Sequence, residues 1–199
     1  IAILGQKVSI GDKIKIEQST LIVDDLTKTH HQHLIYNKPE GEICSKNDPG
    51  GRKTTFSALP RLNNLRWISI GRLDINTSGL LLFTTDGIIA NQWMHPSNGY
   101  EREYMVRIYG KYKSNIEKSM INGINLSDGM AKFKTITQIQ DANNKKWFKV
   151  TVDEGRNRFI KRMFEHHGIK VSRLIRIRFG DIILPTDLKK GKYKIVSEL

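Results

Sequence analysis

One acid in the sequence stands where chemistry could occur. In the stretch Gly71-Arg72-Leu73-Asp74-Ile75-Asn76-Thr77-Ser78-Gly79, Asp74 follows Arg72 by two residues and precedes a polar, turn-prone run. The apolar run Leu80-Leu81-Leu82-Phe83 comes next. A short apolar run bounded by turn signals reads as a buried strand, so Asp74 is expected on a loop entering the core. A lone carboxylate held there is a candidate nucleophile or general base. An aspartate before Thr, Ser and Gly is also a common turn cap, and at this level both readings stand. Two other reactive types carry less. Cys44 is a candidate thiol but reads more simply as a small buried residue. His30, His31 and His33 do not have the spacing of a common zinc site and read as part of a polar linker.

Charge narrows the class of partner. The 199 residues carry 33 Lys and Arg against 20 Asp and Glu, a formal net charge of +13. Such a balance favours polyanions, nucleic acid before anionic membrane. The charge is concentrated late. Between positions 156 and 178 stand Arg156, Arg158, Lys161, Arg162, Lys170, Arg173, Arg176 and Arg178 against the single acid Glu165, a net +7. That density predicts an electrostatic footprint for phosphates. No apolar run approaches the roughly 20 residues that cross a bilayer, and no secretory signal is visible. One cysteine excludes an internal disulfide and fits a reducing cytoplasm. The first residue is Ile1, which predicts a fragment or processed form of a longer chain.

The elements that must position Asp74 can be read from pattern. Residues 8–16 alternate like a strand interrupted by a turn, and 24–33 read as a linker. A second unit is expected from Leu34, with a strand running into the turn Asn37-Lys38-Pro39-Glu40-Gly41. Residues 54–59 can form a short helix, stopped by Pro60. Trp67 to Ile70 reads as the strand that delivers Asp74. Asp86 is a predicted N-cap for a helix over Gly87–Met94, ended by Pro96. Arg102 to Tyr109 reads as a strand with Arg102, Tyr104, Val106 and Ile108 on one face. Ser114 and Glu117 suit a capping box for a helix to about Asn122. Strands follow near 132–139 and 146–152. A helix over Asn157–His167 has the stripe Ile160, Met163, Phe164 and His167, with Gly168 closing it. Val171 to Phe179 reads as a strand with Leu174, Arg176 and Arg178 on one face and Ile175 and Ile177 on the other. The expected class is α+β, with a large, mostly antiparallel mixed sheet flanked by helices and loops.

These residues resemble a known family. Gly71-Arg72-Leu73-Asp74 with Thr77-Ser78-Gly79-Leu80-Leu81-Leu82 is similar to the signature of the pseudouridine synthases that modify single uridines in ribosomal RNA. Glu101-Arg102-Glu103-Tyr104 with Val106 resembles their second motif, and Glu154-Gly155-Arg156-Asn157-Arg158 with Lys161-Arg162-Met163 their third. Tyr36-Asn37-Lys38-Pro39-Glu40-Gly41 resembles their opening strand and turn. The similarity runs in order from about residue 34 to 196. Arg66-Trp67-Ile68, Met94-His95-Pro96 and the run Val171 to Ile182 point to the branch acting on large-subunit, 23S ribosomal RNA.

The resemblance implies a fold, a reaction and a site. The fold is the pseudouridine synthase catalytic fold over 34–199, with 1–23 a remnant of an S4 RNA-binding domain and 24–33 a linker. The reaction is isomerisation of one uridine in 23S rRNA. Asp74 would attack ribose C1′ or uracil C6, Tyr104 would stack on the flipped base and help remove the C5 proton, and Lys161 would pair with Asp74. Ile160 would pack beside the base. Arg72 would hold the extruded nucleotide, and Lys38, Arg156, Arg158, Arg162, Arg173 and Arg176 would contact RNA. Two departures stand out: Phe159 follows Arg158 where many relatives have a polar residue, and Lys161 stands where many have arginine. An isomerisation needs no cofactor or metal, and the sequence has no Walker loop, dinucleotide fingerprint or zinc quartet. A cytoplasmic monomer is expected, with ribosomal RNA as partner and no membrane. The rival reading is a non-catalytic RNA-binding ribosome-assembly factor on the same fold.

Overall fold

The computed structural model describes residues 5–23, 30–110, 112–113, 115–139 and 146–199. The chain divides into two units, Ile1–His31 and Gln32–Leu199. In the first, β1 (Lys13–Ile16) pairs antiparallel with β2 (Ser19–Ile22). Asp12 organises the approach to this hairpin, its carboxylate accepting from the Ser9 amide at 2.8 Å. Ile10, Ile16, Leu21 and Ile22 are exposed. Most of the expected linker, residues 24–29, lies outside the described residues.

The second unit carries β3 (His33–Lys38), β4 (Ile68–Ile70), β5 (Ser78–Thr84), α1 (Gly87–Met94), β6 (Arg102–Tyr109), α2 (Asn115–Asn122) and the hairpin β7 (Ile124–Leu126) and β8 (Gly129–Ala131). Then come β9 (Thr135–Ile139), β10 (Trp147–Val152), α3 (Phe159–Glu165), β11 (Lys170–Phe179), β12 (Ile182–Ile183) and β13 (Tyr193–Val196). Nine of these strands form one sheet in the order β13-β3-β5-β11-β6-β10-β9, with β4 on β5 and β12 on β11. All pairings are antiparallel except β5 with β11. No helix among the described residues is long and apolar enough to cross a membrane.

Alternation decides the two faces. Tyr104, Val106 and Ile108 of β6 point into a core with Leu81 and Phe83 of β5 and with Phe159, Ile160, Met163 and Phe164 of α3. Leu80 and Leu82 of β5 point the other way, into a smaller core with Ala90 and Trp93 of α1 and with Phe179. The α1 start is held by Asp86, whose Oδ1 accepts from the Ile88 and Ile89 amides, satisfying donors a helix start leaves free.

Several boundaries differ from the expectations. His33 is not linker: it is buried in β3, and the main chains of Gln32 and Thr85 are tied by a 2.9 Å hydrogen bond. Ser78 and Gly79 are not turn but the start of β5, because β11 pairs in parallel there, Arg176 opposite Gly79. Gly79 has φ +100°, and a Cβ on it would lie 2.2 Å from the Arg176 carbonyl oxygen, so only glycine allows this approach. The strand expected from 132 begins at Thr135, and the β7–β8 hairpin before it was not anticipated. Helix α3 is two residues shorter at each end than read, entered through Arg158 in the left-handed region at φ 50°. Arg176 and Arg178 do not share a face: a register shift between them sets Arg176 opposite Tyr104 and Arg178 opposite Glu103, the result of a bulge. Ser114, half of the predicted capping box, lies outside the described residues.

Candidate active site

Asp74 lies on the loop between β4 and β5, and the loop is held mainly through its backbone. The Thr77 amide donates to the Asp74 carbonyl at 2.9 Å and the Gly41 amide to the Ile75 carbonyl at 2.8 Å. Below them the Lys38 ammonium donates to the carbonyls of Thr77 (2.8 Å), Pro39 (3.0 Å), Asp74 (3.2 Å) and Ile75 (3.4 Å). Lys38 is 0% exposed. The expectation that it contacts RNA is therefore corrected: β3 carries it inward, on the same face as Leu34 and Tyr36. Burial pushes its pKa down from the ordinary lysine value, against the attraction of Cys44, Glu42 and Asp74. Cys44 packs beside the loop, its Sγ 3.4 Å from both the amide and the carbonyl of Leu73.

With its backbone fixed, the Asp74 side chain turns into a cleft of about 1090 Å³ and stays 31% exposed. Lys161 reaches it from α3, Nζ to Oδ2 2.9 Å. The partners are 87 residues apart in sequence. The α3 stripe explains the approach: Phe159, Ile160, Met163 and Phe164 are buried, which leaves Lys161 on the flank facing the loop. Its single ammonium makes one contact where an arginine fork could make two. Tyr104, nearly buried on β6, and Ile160 line the same cleft. Phe159 is core, packed edge-on against Phe133, and also borders the cleft.

Carboxylates pair with much of the basic tract. Arg156 pairs with Glu154 and Asp128, Arg162 with Asp128, Arg158 with Glu165, Arg173 with Glu40, and Arg178 with Glu101 and Glu103. Arg156 and Arg158 line the cleft, as does the exposed Arg72, whereas Arg162 and Arg173 do not. Arg176 lines it too, but as a buried residue. Arg102, Leu174 and Phe179 join the cleft without having been singled out as site residues. The alternation of β6, which puts Arg102 on the Tyr104 face, was the available signal for the first. Among the described residues no group of three His, Cys, Asp or Glu side chains is arranged to hold a metal ion.

The chain as a whole is similar to known proteins. The profile of one family, described as RNA pseudouridylate synthase, matches residues 32–166. A protein of Escherichia coli O6:H1 named ribosomal large subunit pseudouridine synthase B is 49% identical over 193 residues, covering 96% of this chain and 66% of its own length. A protein of Yersinia pestis with the same name is 45% identical, over 96% of this chain and 63% of its own. The chain thus spans just under two thirds of these relatives. A crystal structure of a pseudouridylate synthase superposes with a TM-score of 0.75 at 29% identity, covering 96% of this chain and 79% of that one.

Proposed function

The chain belongs to the RNA pseudouridylate synthase family, and from that premise we propose that it converts a uridine of large-subunit, 23S ribosomal RNA to pseudouridine. The observation that carries the reading is the 2.9 Å contact of Lys161 with Asp74 in the wall of a cleft shared with Tyr104. The names of the relatives support the RNA. In this reaction the N1–C1′ bond breaks and a C5–C1′ bond forms. The C5 proton leaves and N1 gains one, so atoms and electrons balance within the substrate and solvent. The Asp74 carboxylate forms a transient bond to ribose C1′ or to uracil C6. The Lys161 ammonium balances its charge in a site that is only partly solvated. Tyr104 offers an aromatic face for the extruded base and a phenol near C5, and Ile160 an apolar wall. Extruding a base costs a few kcal/mol, and stacking of about 1–3 kcal/mol per base offsets it.

Phosphate contacts fall to the exposed Arg72 and to Arg158 and Arg173, whose side chains stay 51% and 40% exposed outside their ion pairs. Arg156, held by Asp128, acts by shaping the cleft wall, and Arg162, outside the cleft, is held by the same Asp128. Residues 5–23, a hairpin with exposed apolar residues, fit part of an S4-type RNA-binding module. A monomer working in the cytoplasm completes the reading.

The test is tritium release from a 23S transcript labelled at uridine C5. Wild type is expected to release tritium, and Asp74→Asn to lose about 10³-fold or more of the rate with its Kd for the transcript unchanged. An Asp74→Asn variant as fast as wild type would overturn the assignment. A wild type that binds the transcript and releases nothing would favour an RNA-binding assembly factor.

A further inference from the structure

Of the arginines between 156 and 178, one differs from the rest. Arg156, Arg158, Arg162, Arg173 and Arg178 each meet a carboxylate. Arg176 meets none among the described residues. It is 2% exposed, its Nε donates to the Leu80 carbonyl at 2.7 Å, and its Nη2 is buried without a hydrogen-bond partner. Arg102 stands beside it in the cleft wall. Its Nη1 donates only to backbone carbonyls, of Tyr100 at 3.0 Å and Asp153 at 3.4 Å. Both guanidinium groups lie over the ring of Phe179, at 4.6 Å for Arg102 and 5.0 Å for Arg176.

This arrangement is costly as it stands. Arginine stays protonated in proteins, and leaving a buried charge unpaired is strongly unfavourable. An aromatic face offsets only a small part of that cost. The two cations also oppose each other: burial first, then Arg176, pushes the Arg102 pKa down, with Tyr104 and Asp153 acting the other way. None of the three acids of the cleft wall forms an ion pair with them among the described residues. Asp74 is engaged by Lys161 and Glu154 by Arg156, and the exposed Asp153 attracts Arg102 only from a distance. What the pair lacks is an anion, and the open side is the cleft.

We propose that Arg102 and Arg176, stacked on Phe179, bind a phosphodiester of the extruded nucleotide. Two guanidinium forks match the oxygens of one phosphate, and neutralisation relieves a repulsion already present in the free protein. The identity of the nucleotide rests on the function proposed above; the anion site itself does not.

The probes are uridine, uridine 5′-monophosphate and uridine 3′-monophosphate, added to the full chain while the arginine Nε–Hε resonances are followed by NMR. One of the monophosphates is expected to shift the Arg102 and Arg176 signals and to bind about tenfold or more tightly than uridine, a gain of about 1.4 kcal/mol. The two phosphate positions distinguish the 5′ from the 3′ side. Arg102→Gln, at a partly exposed position, is expected to abolish the advantage, and Arg176→Lys, which keeps the charge in a buried place, to retain part of it. Tritium release is measured in parallel. An active chain that binds uridine and both monophosphates equally overturns the site and leaves the function standing. An inactive chain that still prefers a monophosphate through these two arginines keeps the site and overturns the function.

Discussion

Lys38 lies wholly inside the protein with its ammonium among the carbonyls of Pro39, Asp74, Ile75 and Thr77, whereas Lys161 keeps 15% of its side chain exposed and meets the Asp74 carboxylate itself. The two cations approach one residue from opposite sides of its chemistry. Lys38 addresses the main chain and so sets where the loop runs. Lys161 addresses the side chain and so sets the charge in the cleft. Carbonyl dipoles cannot neutralise an ammonium as a carboxylate can, yet several of them replace the water it has lost. A residue type expected on the surface therefore becomes part of the frame, and the division of labour predicts different failures.

The largest effect is expected at Lys38. Lys38→Met removes the shared donor from four carbonyls and should lower stability by about 2–4 kcal/mol, the loss of charge-assisted bonds less the relieved cost of burying an ammonium. Urea unfolding measures this, and tritium release should fall with it as Asp74 loses its position. A Lys38→Met protein as stable as wild type would show that the cage does not hold the loop. Next is Lys161→Met. Here stability should change by about 1 kcal/mol or less, since the pair is partly solvated, while the rate falls about 10²-fold, the scale of losing one well-placed charged donor. Lys161→Arg should recover much of the rate. If Lys161→Met instead unfolds the protein and leaves the specific rate of the folded fraction intact, the two lysines share one role and the contrast between them fails.

What the sequence allowed one to read follows the same division between local and distant causes. Strand β6 was legible to the residue because Tyr104, Val106 and Ile108 alternate with polar neighbours. The start of α1 was legible because Asp86 caps amides only two and three positions away. Lys38 was misread because its partners lie up to 39 residues on, and nothing in Asn-Lys-Pro announces a cage. The ion pairs within the basic tract were not legible for the same reason. Asp128, which holds Arg156 and Arg162, comes from the unanticipated β7–β8 turn. Gly79 looked like a turn residue because its real constraint, the Arg176 backbone, is 97 positions away. The Asp74–Lys161 pair is 87 positions apart, and only the family resemblance linked the two before the structure brought them together.

The smallest effect separates Arg176 from Arg178, two residues apart on β11. The bulge between them turns Arg178 toward Glu101 and Glu103, at 2.9 and 3.1 Å, and leaves Arg176 with no acid partner among the described residues. Lys134 first, then Arg178, holds the Glu101 carboxyl below its usual range. A carboxylate depressed in the folded state stabilises the fold fully above the usual glutamate range. That contribution is lost as pH falls through the lower folded value, where the unfolded chain is already protonated and the folded one takes up its proton. Arg178→Gln moves the folded Glu101 value toward the unfolded one, so the loss of stability on acidification should be slightly smaller and be complete at a slightly higher pH, followed as urea midpoints between neutral and acid conditions. The change should be small, because Lys134 remains and is the larger cause. Arg176→Lys should leave the acid slope as in wild type whatever it does to overall stability, since no carboxylate among the described residues pairs with that position. An acid slope altered equally by both variants would mean that an acid reaches Arg176 in solution, and the contrast across the bulge would be lost.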